Sequence, residues 1–330
     1  MTPSDFTNRL HKNLRHWSRW ARRRGIECFR VYDRDIPEYP VAVDVYAGLP
    51  HVQVYETRQE DDRNGFEALV ARVRTEAASV FGIAPEDLAL KVRRRQKGLA
   101  QYTRMGEGGQ ELIVREDGLR FSVQLHAYLD TGLFPDLRIA RALIRERAQG
   151  THFMNLFAYT GSFTVHAAAG GARESLTLDL SRTYLDWARR NFRLNGLDPE
   201  RHHLEQVDVM QWLEQAPARE GGRFDLIVLD PPSFSNSSRM DTTLDVQRDH
   251  PWMIHRCMGL LASGGTLLFS NNRRGFRLYE DELPPCMVEE ITRRTQPEDF
   301  ARGRPHRCWL IQRPPRSPEP EPMRKGAHPQ

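Results

Sequence analysis

Three aspartates each close an apolar run: Asp179 in ESLTLDL, Asp208 in HHLEQVD and Asp230 in FDLIVLDPPSF. Short apolar runs of this kind read as buried strands. Acids at the ends of successive strands of a parallel sheet line one crevice. Carboxylates there suit a nucleoside with a diol, an exocyclic amine and a reactive end. Asp179 follows Gly161 by roughly 20 residues, the spacing at which a carboxylate takes two hydrogen bonds from a ribose diol. Its alternative is to cap the helix starting near Ser181, but Ser181 can cap that helix itself. Asp208 suits an adenine amino proton, and a helix cap is again its alternative. The loop Asn155 to Ser162 (NLFAYTGS) holds Gly161 alone, with Tyr159 where a dinucleotide loop would place its first glycine. That argues against a pyrophosphate cradle and for a ligand without phosphate. Taken alone, the loop reads equally well as a tight turn with no ligand.

Asp230-Pro231-Pro232-Ser233-Phe234 is the most specific segment. Two prolines after a buried strand stiffen the chain and remove two backbone donors. Neighbouring carbonyls and the Asp230 carboxylate are then free to face an acceptor base, and Phe234 can stack on it. The alternative is a rigid loop with Phe234 in the core. Pro231 and Pro232, with Asp230 and Phe234, are therefore the candidate catalytic group.

The elements that position these residues fall into two patterns. Asp5 to Arg24 reads as a helix with Phe6, Leu10, Leu14, Trp17 and Ala21 on one face. CFRVYD, VAVDVYAGLPHVQVYE and LALKVRR read as strands, and Asn64 to Phe81 as a helix. ELIVRE and LRFSVQLH, joined by Asp117-Gly118, read as a hairpin. Residues 1–126 thus form a small α+β domain. From about Leu137, helices alternate with FMNLFAY, ESLTLDL, HHLEQVD, FDLIVLD and GGTLLFSN. That alternation predicts an α/β domain over 127–313, with a mostly parallel sheet covered by helices on both faces. MVEEITRRT and HRCWLIQR suit a closing antiparallel pair. Residues 314–330 are proline-rich and predict a disordered tail.

The chain has 330 residues, 39% of them apolar, and a net charge of +4. No apolar run is long enough to span a membrane, and the first residues lack a signal-peptide core. Cys28, Cys257, Cys286 and Cys308 give neither a disulfide ladder nor a metal spacing, and the histidines show no metal spacing either. A cytoplasmic protein without a metal is expected. The positive charge is clustered. Arg19 and Arg23 belong to the first helix, which has no acid between Arg9 and Arg24, and Lys91 to Lys97 includes Arg93, Arg94 and Arg95. Arg273 and Arg274 follow the strand ending in Asn271. Such runs suit RNA phosphates, although isolated basic runs are usually solvated faces.

RQKGLAQY, YLDTGLFPDLRIAR, NLFAYTGSFTVHAAAGGA, LDLSRTYLDWARRNFRLNGL, DPPSFSNSSRM, LDVQRDH, FSNNRRGFR and DFARGRPHRCWLI cover all but the tails. With these stretches the chain resembles the guanine-N7 methyltransferase half of the bacterial bifunctional 23S ribosomal RNA methyltransferases. The resemblance implies a class I, Rossmann-like fold and S-adenosyl-L-methionine as methyl donor. It implies a donor site at Asn155, Phe157, Tyr159, Thr160, Gly161, Asp179, Ser181, Asp208 and Asp230. It also implies that Asp136 and Arg138 close over the donor's methionine end. The partner would be large-subunit rRNA or its assembly intermediate. The bifunctional enzymes carry a further amino-terminal half, so the second activity, guanine-N2 methylation, is expected to be absent. The two prolines of DELPPCMVEE predict a broken helix.

Wider relatives methylate cytosine C5 through a cysteine thiolate. Here the place after the fifth strand reads Ser270-Asn271-Asn272, with no sulfur. Guanine N7 carries a free lone pair and needs no general base, so alignment and the local field would suffice. An exocyclic-amine acceptor and a non-catalytic RNA-binding protein of the same fold are the remaining alternatives.

Overall fold

The computed structural model describes residues 3–56, 63–93, 111–235, 243–303 and 305–315. Arg94, Arg95, Lys97 and all but the start of the proline-rich tail lie outside the described residues.

Helix α1 (Asp5–Arg24) opens the region built on the first sheet, the proposed small domain. Ser4 caps it by accepting from Thr7 N–H, and Gly25 at φ 64° ends it. Then follow β1 (Cys28–Asp33), β2 (Val41–Tyr46), β3 (Leu49–Tyr55), α2 (Arg63–Phe81) and β4 (Ala89–Arg93). The run VAVDVYAGLPHVQVYE is two strands rather than one. Ala47 and Gly48 both take positive φ, which closes β2 and β3 into a hairpin. The sheet order is β1-β2-β3-β4, with β3 and β4 parallel. Alternation along the strands gives it two faces. Val41, Val43, Val45, Val52 and Val54 pack with α1 and α2. Asp44, Tyr46, His51, Gln53 and Arg93 lie on the other face.

The hairpin β5 (Leu112–Glu116) and β6 (Leu119–Val123) pairs with neither sheet. Asp117 and Gly118 have positive φ, as its two-residue turn requires.

The second domain runs α3 (Arg138–Arg147), β7 (His152–Leu156), α4 (Ser162–Ala169), β8 (Glu174–Asp179), α5 (Arg182–Leu194), β9 (His202–Gln206), α6 (Val209–Glu220) and β10 (Phe224–Leu229). A short pair, β11 (Phe234–Ser235) and β12 (Leu244–Asp245), precedes α7 (Val246–Leu260) and β13 (Leu261–Asn271). Strand β14 (Met287–Glu290), α8 (Thr292–Thr295) and β15 (Arg307–Gln312) complete it. Sheet order is β14-β15-β13-β10-β7-β8-β9. Strands β13, β10, β7, β8 and β9 are parallel, and β14 and β15 form the antiparallel edge. Chain order reverses between β7 and β10, so the ligand crevice belongs at the carboxyl ends there. Met154, Ile227 and Leu267 pack on α6 and α7. Phe153, Val228 and Leu268 pack on α3 and α4. Both faces are covered, which is why these strands read as near-continuous apolar runs. DELPPC forms a short turn instead of a helix before β14.

The hairpin ties itself to the second domain through α5. Ser122 N–H donates to Asn191 Oδ1 at 2.9 Å, and Trp187 Nε1 donates to the Ser122 carbonyl at 2.8 Å. Its Glu116 meets Arg141 of α3 in a buried bidentate pair at 2.6 and 2.8 Å.

Candidate active site

A cavity of about 1100 Å³ opens between the carboxyl ends of the parallel strands and the polar face of the small-domain sheet. Asp179, Asp208, Asp230, Asn155, Phe157, Tyr159 and Ser181 all line it, as do Asp136, Pro231 and Pro232. The three strand-end acids thus meet in one space.

The loop after β7 is held in a costly conformation. Phe157 and Tyr159 have φ of 57° and 53°. Bulky residues avoid this region, at a cost of roughly 1–3 kcal/mol each. Three contacts hold Tyr159 there. Its N–H donates to Asp179 Oδ2 at 2.9 Å, its hydroxyl accepts from Gly132 N–H at 2.8 Å, and its ring meets Tyr184 edge-on at 4.5 Å. Thr160 is buried and donates to the Gly132 carbonyl at 2.6 Å. The TGLFPD segment is therefore pinned to this loop. Gly161 has φ 71°, and a Cβ there would meet Phe192 at 2.9 Å. Conformation and packing against α5 thus account for this glycine. Asn155 reaches Thr164 at 3.1 Å in a buried polar chain beneath the loop.

Asp179 accepts from Tyr159 and Ser181 N–H, one on each oxygen. Ser181 caps α5 by accepting from Tyr184 N–H. The Leu180 N–H also acts on the Asp179 carboxylate, which still keeps acceptor capacity for a ligand. Burial pushes its carboxyl up to about 6, against the pull of these bonds. Asp208 caps α6: Met210 and Gln211 both donate to its Oδ1. The cap is real, but it uses one oxygen, and the residue still faces the cavity.

Asp230 sits at the end of β10. Burial pushes its carboxyl up to about 6 although Ser270 Oγ donates to its Oδ1 at 2.7 Å. Ser233 Oγ donates to Asn272 at 2.6 Å, which ties the proline loop to the end of β13. Phe234 is 52% exposed rather than in the core. Arg273 pairs with Asp245, the cap of α7, and Arg274 is exposed.

Asp136 and Arg138 separate. Asp136 lines the cavity and contacts His306 Nδ1 at 3.3 Å. Burial would raise its carboxyl, but the His306 contact brings it below its ordinary value. Arg138 does not line the cavity. Its guanidinium is taken up by Asp299 and by the Cys28 and Pro135 carbonyls, beside the Trp20 ring. Arg138 therefore clamps the two domains instead of closing over a ligand. Arg141, one turn further on, lines the cavity in its place. Sequence reading missed Arg141, Glu116 and His306 because each finds its partner far along the chain.

Arg93 lines the cavity and bonds Gln53 at 2.9 Å and Asp130 at 2.6 Å. Arg19 and Arg23 are exposed on α1. Cys28, Cys257 and Cys308 are buried, and burial pushes their thiols well above the ordinary value. No cluster of three or more histidines, cysteines or acids among the described residues could hold a metal. No helix among them is long and apolar enough to cross a membrane.

The family model for S-adenosylmethionine-dependent methyltransferases matches residues 31–304. The chain belongs to this family. Its donor is therefore S-adenosylmethionine. The chain is 52% identical over 306 residues to a protein of Neisseria meningitidis serogroup B named ribosomal RNA large subunit methyltransferase K. That match covers 93% of this chain and 86% of the relative. The fold is shared with a methyltransferase solved in complex with SAH, at TM-score 0.71 and 21% identity, covering 93% of this chain and 81% of the other. It is also shared with the M. jannaschii tRNA m1G37 methyltransferase, at TM-score 0.52 and 14% identity, covering 93% and 79%.

Proposed function

We propose that this protein transfers a methyl group from S-adenosylmethionine to N7 of a guanine in 23S rRNA. When bound, the donor supplies an electrophilic methyl group on its sulfonium. Asp179 holds the ribose diol with the lone pairs left over from its backbone contacts. Asp208 accepts from the adenine amino group through the oxygen not used in capping α6. Asp136, oriented by His306, faces the donor's α-ammonium, while Asn155, Phe157, Tyr159 and Thr160 shape the loop beside it. Asp230 holds the guanine's N–H edge and offsets the positive charge that forms as N7 is methylated. Pro231 and Pro232 keep that edge rigid, and exposed Phe234 stacks on the base or its neighbour.

One observation argues against the C5 alternative: the cavity offers carboxylates and, among the described residues that line it, no cysteine thiol. A C5 transfer needs a covalent adduct to the pyrimidine, whereas N7 attacks directly. The choice of N7 over an exocyclic amine rests on the resemblance. The relative named for large-subunit rRNA supports the RNA class. Arg19, Arg23, Arg93, Arg94, Arg95, Lys97, Arg273 and Arg274 are proposed to meet its phosphates.

Nucleoside mass spectrometry of rRNA from cells with and without this chain is the test. Loss of one 7-methylguanosine, mapped by reduction and aniline cleavage, is expected. Loss of 5-methylcytidine instead would assign the C5 reaction. No change in any modified nucleoside would leave the RNA-binding alternative.

A further inference from the structure

The small-domain sheet turns a polar face to the cavity, and most groups on that face are satisfied. Asp44 holds Arg30 at 2.7 and 2.9 Å. Lys91 donates to the His126 carbonyl, and the Tyr46 hydroxyl bonds Leu133 and Thr131. His51, in the inner strand β3, is the exception. It is 1% exposed, lines the cavity, and neither ring nitrogen has a hydrogen-bond partner among the described residues. Burial, with Arg93, Lys91 and Arg30 nearby, pulls its pKa down to about 3. The ring is therefore neutral at physiological pH, with one N–H donor and one lone pair.

Asn271, at the end of β13 in the other domain, repeats the pattern. It is 1% exposed and lines the same cavity. Its Oδ1 accepts from Arg273 N–H at 3.1 Å, while its Nδ2 has no partner among the described residues. Buried polar groups nearly always have partners, so each exception calls for a cause. Here two exceptions from two domains line one space. At about 1100 Å³ that space lies at the upper end of the range for small-ligand pockets, roughly 300–1,000 Å³.

We infer that the polar face centred on His51 is a nucleotide subsite. It receives the acceptor nucleotide after that nucleotide leaves the RNA stack, and neutral His51 and Asn271 Nδ2 hydrogen-bond the base. The inference rests on the proposed RNA methyl transfer. A stacked, paired base cannot enter a crevice roofed by a second domain, and enzymes acting on bases turn them out. Guanine offers N–H donors and the O6 acceptor side by side. A neutral imidazole meets one of these groups through one nitrogen, as donor or as acceptor, and an amide N–H₂ matches an acceptor. Asp230 is then free to take the remaining N–H.

The test uses the full chain with His51→Leu and Asn271→Ala. Leucine removes two unsatisfied nitrogens from a buried site, so Tm should hold or rise. Single-turnover methylation of large-subunit rRNA transcript should fall by about threefold to tenfold in each variant, the loss of one hydrogen bond. Affinity for S-adenosylhomocysteine by calorimetry should not change. A second readout needs no turnover. Wild-type protein with ¹³C-labelled histidine, saturated with S-adenosylhomocysteine, is titrated with GMP, AMP, CMP or UMP. The His51 ring resonance should move with GMP. Equal turnover in wild type and His51→Leu, or a His51 resonance that no nucleotide moves, would overturn the subsite and leave the methyl-transfer reading intact. A moving resonance in a protein that methylates no rRNA would keep the subsite and sink that reading.

Discussion

The strand-end wall of the cavity, proposed to be the donor wall, and the small-domain wall are both polar, but they satisfy their polar groups differently. On the donor wall, carboxylates at strand ends take backbone N–H groups of the next turn, as Asp179 does from Ser181 and Asp208 from Met210. Each keeps spare acceptor capacity, so the wall is preformed. On the small-domain wall, long cationic side chains are locked to acids, as Arg30 is to Asp44, and one imidazole has no partner among the described residues. The first wall is organised by local backbone geometry and the second by side chains meeting across strands. A preformed wall suits a small, constant donor. A wall with unsatisfied groups suits an acceptor that arrives each turnover.

Breaking the point where the two walls converge should have the largest effect. Asp230→Ala, with fold and donor affinity checked, is expected to lose about 10²-fold or more in single-turnover rate through lost positioning of the base. Near-normal turnover would remove Asp230 from the chemistry. Next comes the donor wall itself. Asp179→Ala should weaken S-adenosylmethionine by about 1.5–3 kcal/mol, roughly tenfold or more, in calorimetry. Equal affinities would return Asp179 to a purely structural role.

The donor wall should also be the pH-sensitive one, because His51 is already neutral while Asp179 and Asp230 have been pushed up to about 6 by burial. Below pH 6 both carboxyls take a proton and lose acceptor strength, so kcat/KM should fall by about tenfold per unit for one limiting carboxylate. The effect on stability has the opposite sign. A raised carboxyl means the folded form holds a proton that the unfolded form releases, so these two groups add stability as pH falls through 6. Activity should therefore drop before the fold is lost; a rate that is flat from pH 8 to 5 would contradict the assignment.

The outer rim should respond more weakly. Replacing Arg94 and Arg95 with alanine should lower RNA affinity while sparing donor binding. The slope of log K against log salt should fall by about 1 for each phosphate that is no longer neutralised. An unchanged slope would make that run a solvated face. The smallest effect is expected from sulfur. A variant with Cys28, Cys257, Cys286 and Cys308 changed to serine or alanine can lose stability, since buried cysteines pack as small hydrophobes. The folded fraction should methylate at near wild-type rate. A folded but inactive cysteine-free protein would overturn the N7 assignment.

Much of the donor side was legible in the sequence, because it depends on neighbours in the chain. An apolar run followed by an acid predicts a strand-end carboxylate, and Asp179, Asp208 and Asp230 do line one crevice. Ser181 before its helix predicts a cap, and it caps α5. The hairpin turn at Asp117-Gly118 is likewise set by two adjacent residues that tolerate positive φ. The Asp136 and Arg138 pair shows the limit. Two residues apart, they look like one device, yet Asp136 turns to His306 in the cavity and Arg138 to Asp299 at the domain junction.

The sequence by itself determined the alternating pattern of the parallel sheet, the acids at its edge and the single-glycine loop, since these follow from local periodicity and backbone chemistry. It also carried the valine alternation of β2 and β3, which sends their polar residues to one face. Only the tertiary structure decided what that face meets. Docking the small domain over the strand ends buried His51 in the cavity wall among Arg30, Lys91 and Arg93, with no partner for its nitrogens among the described residues. Docking likewise put Arg141 on Glu116 and aligned Asn271 with the same cavity. A side chain's partner across a domain junction depends on how two surfaces pack, and no periodicity along one strand encodes that.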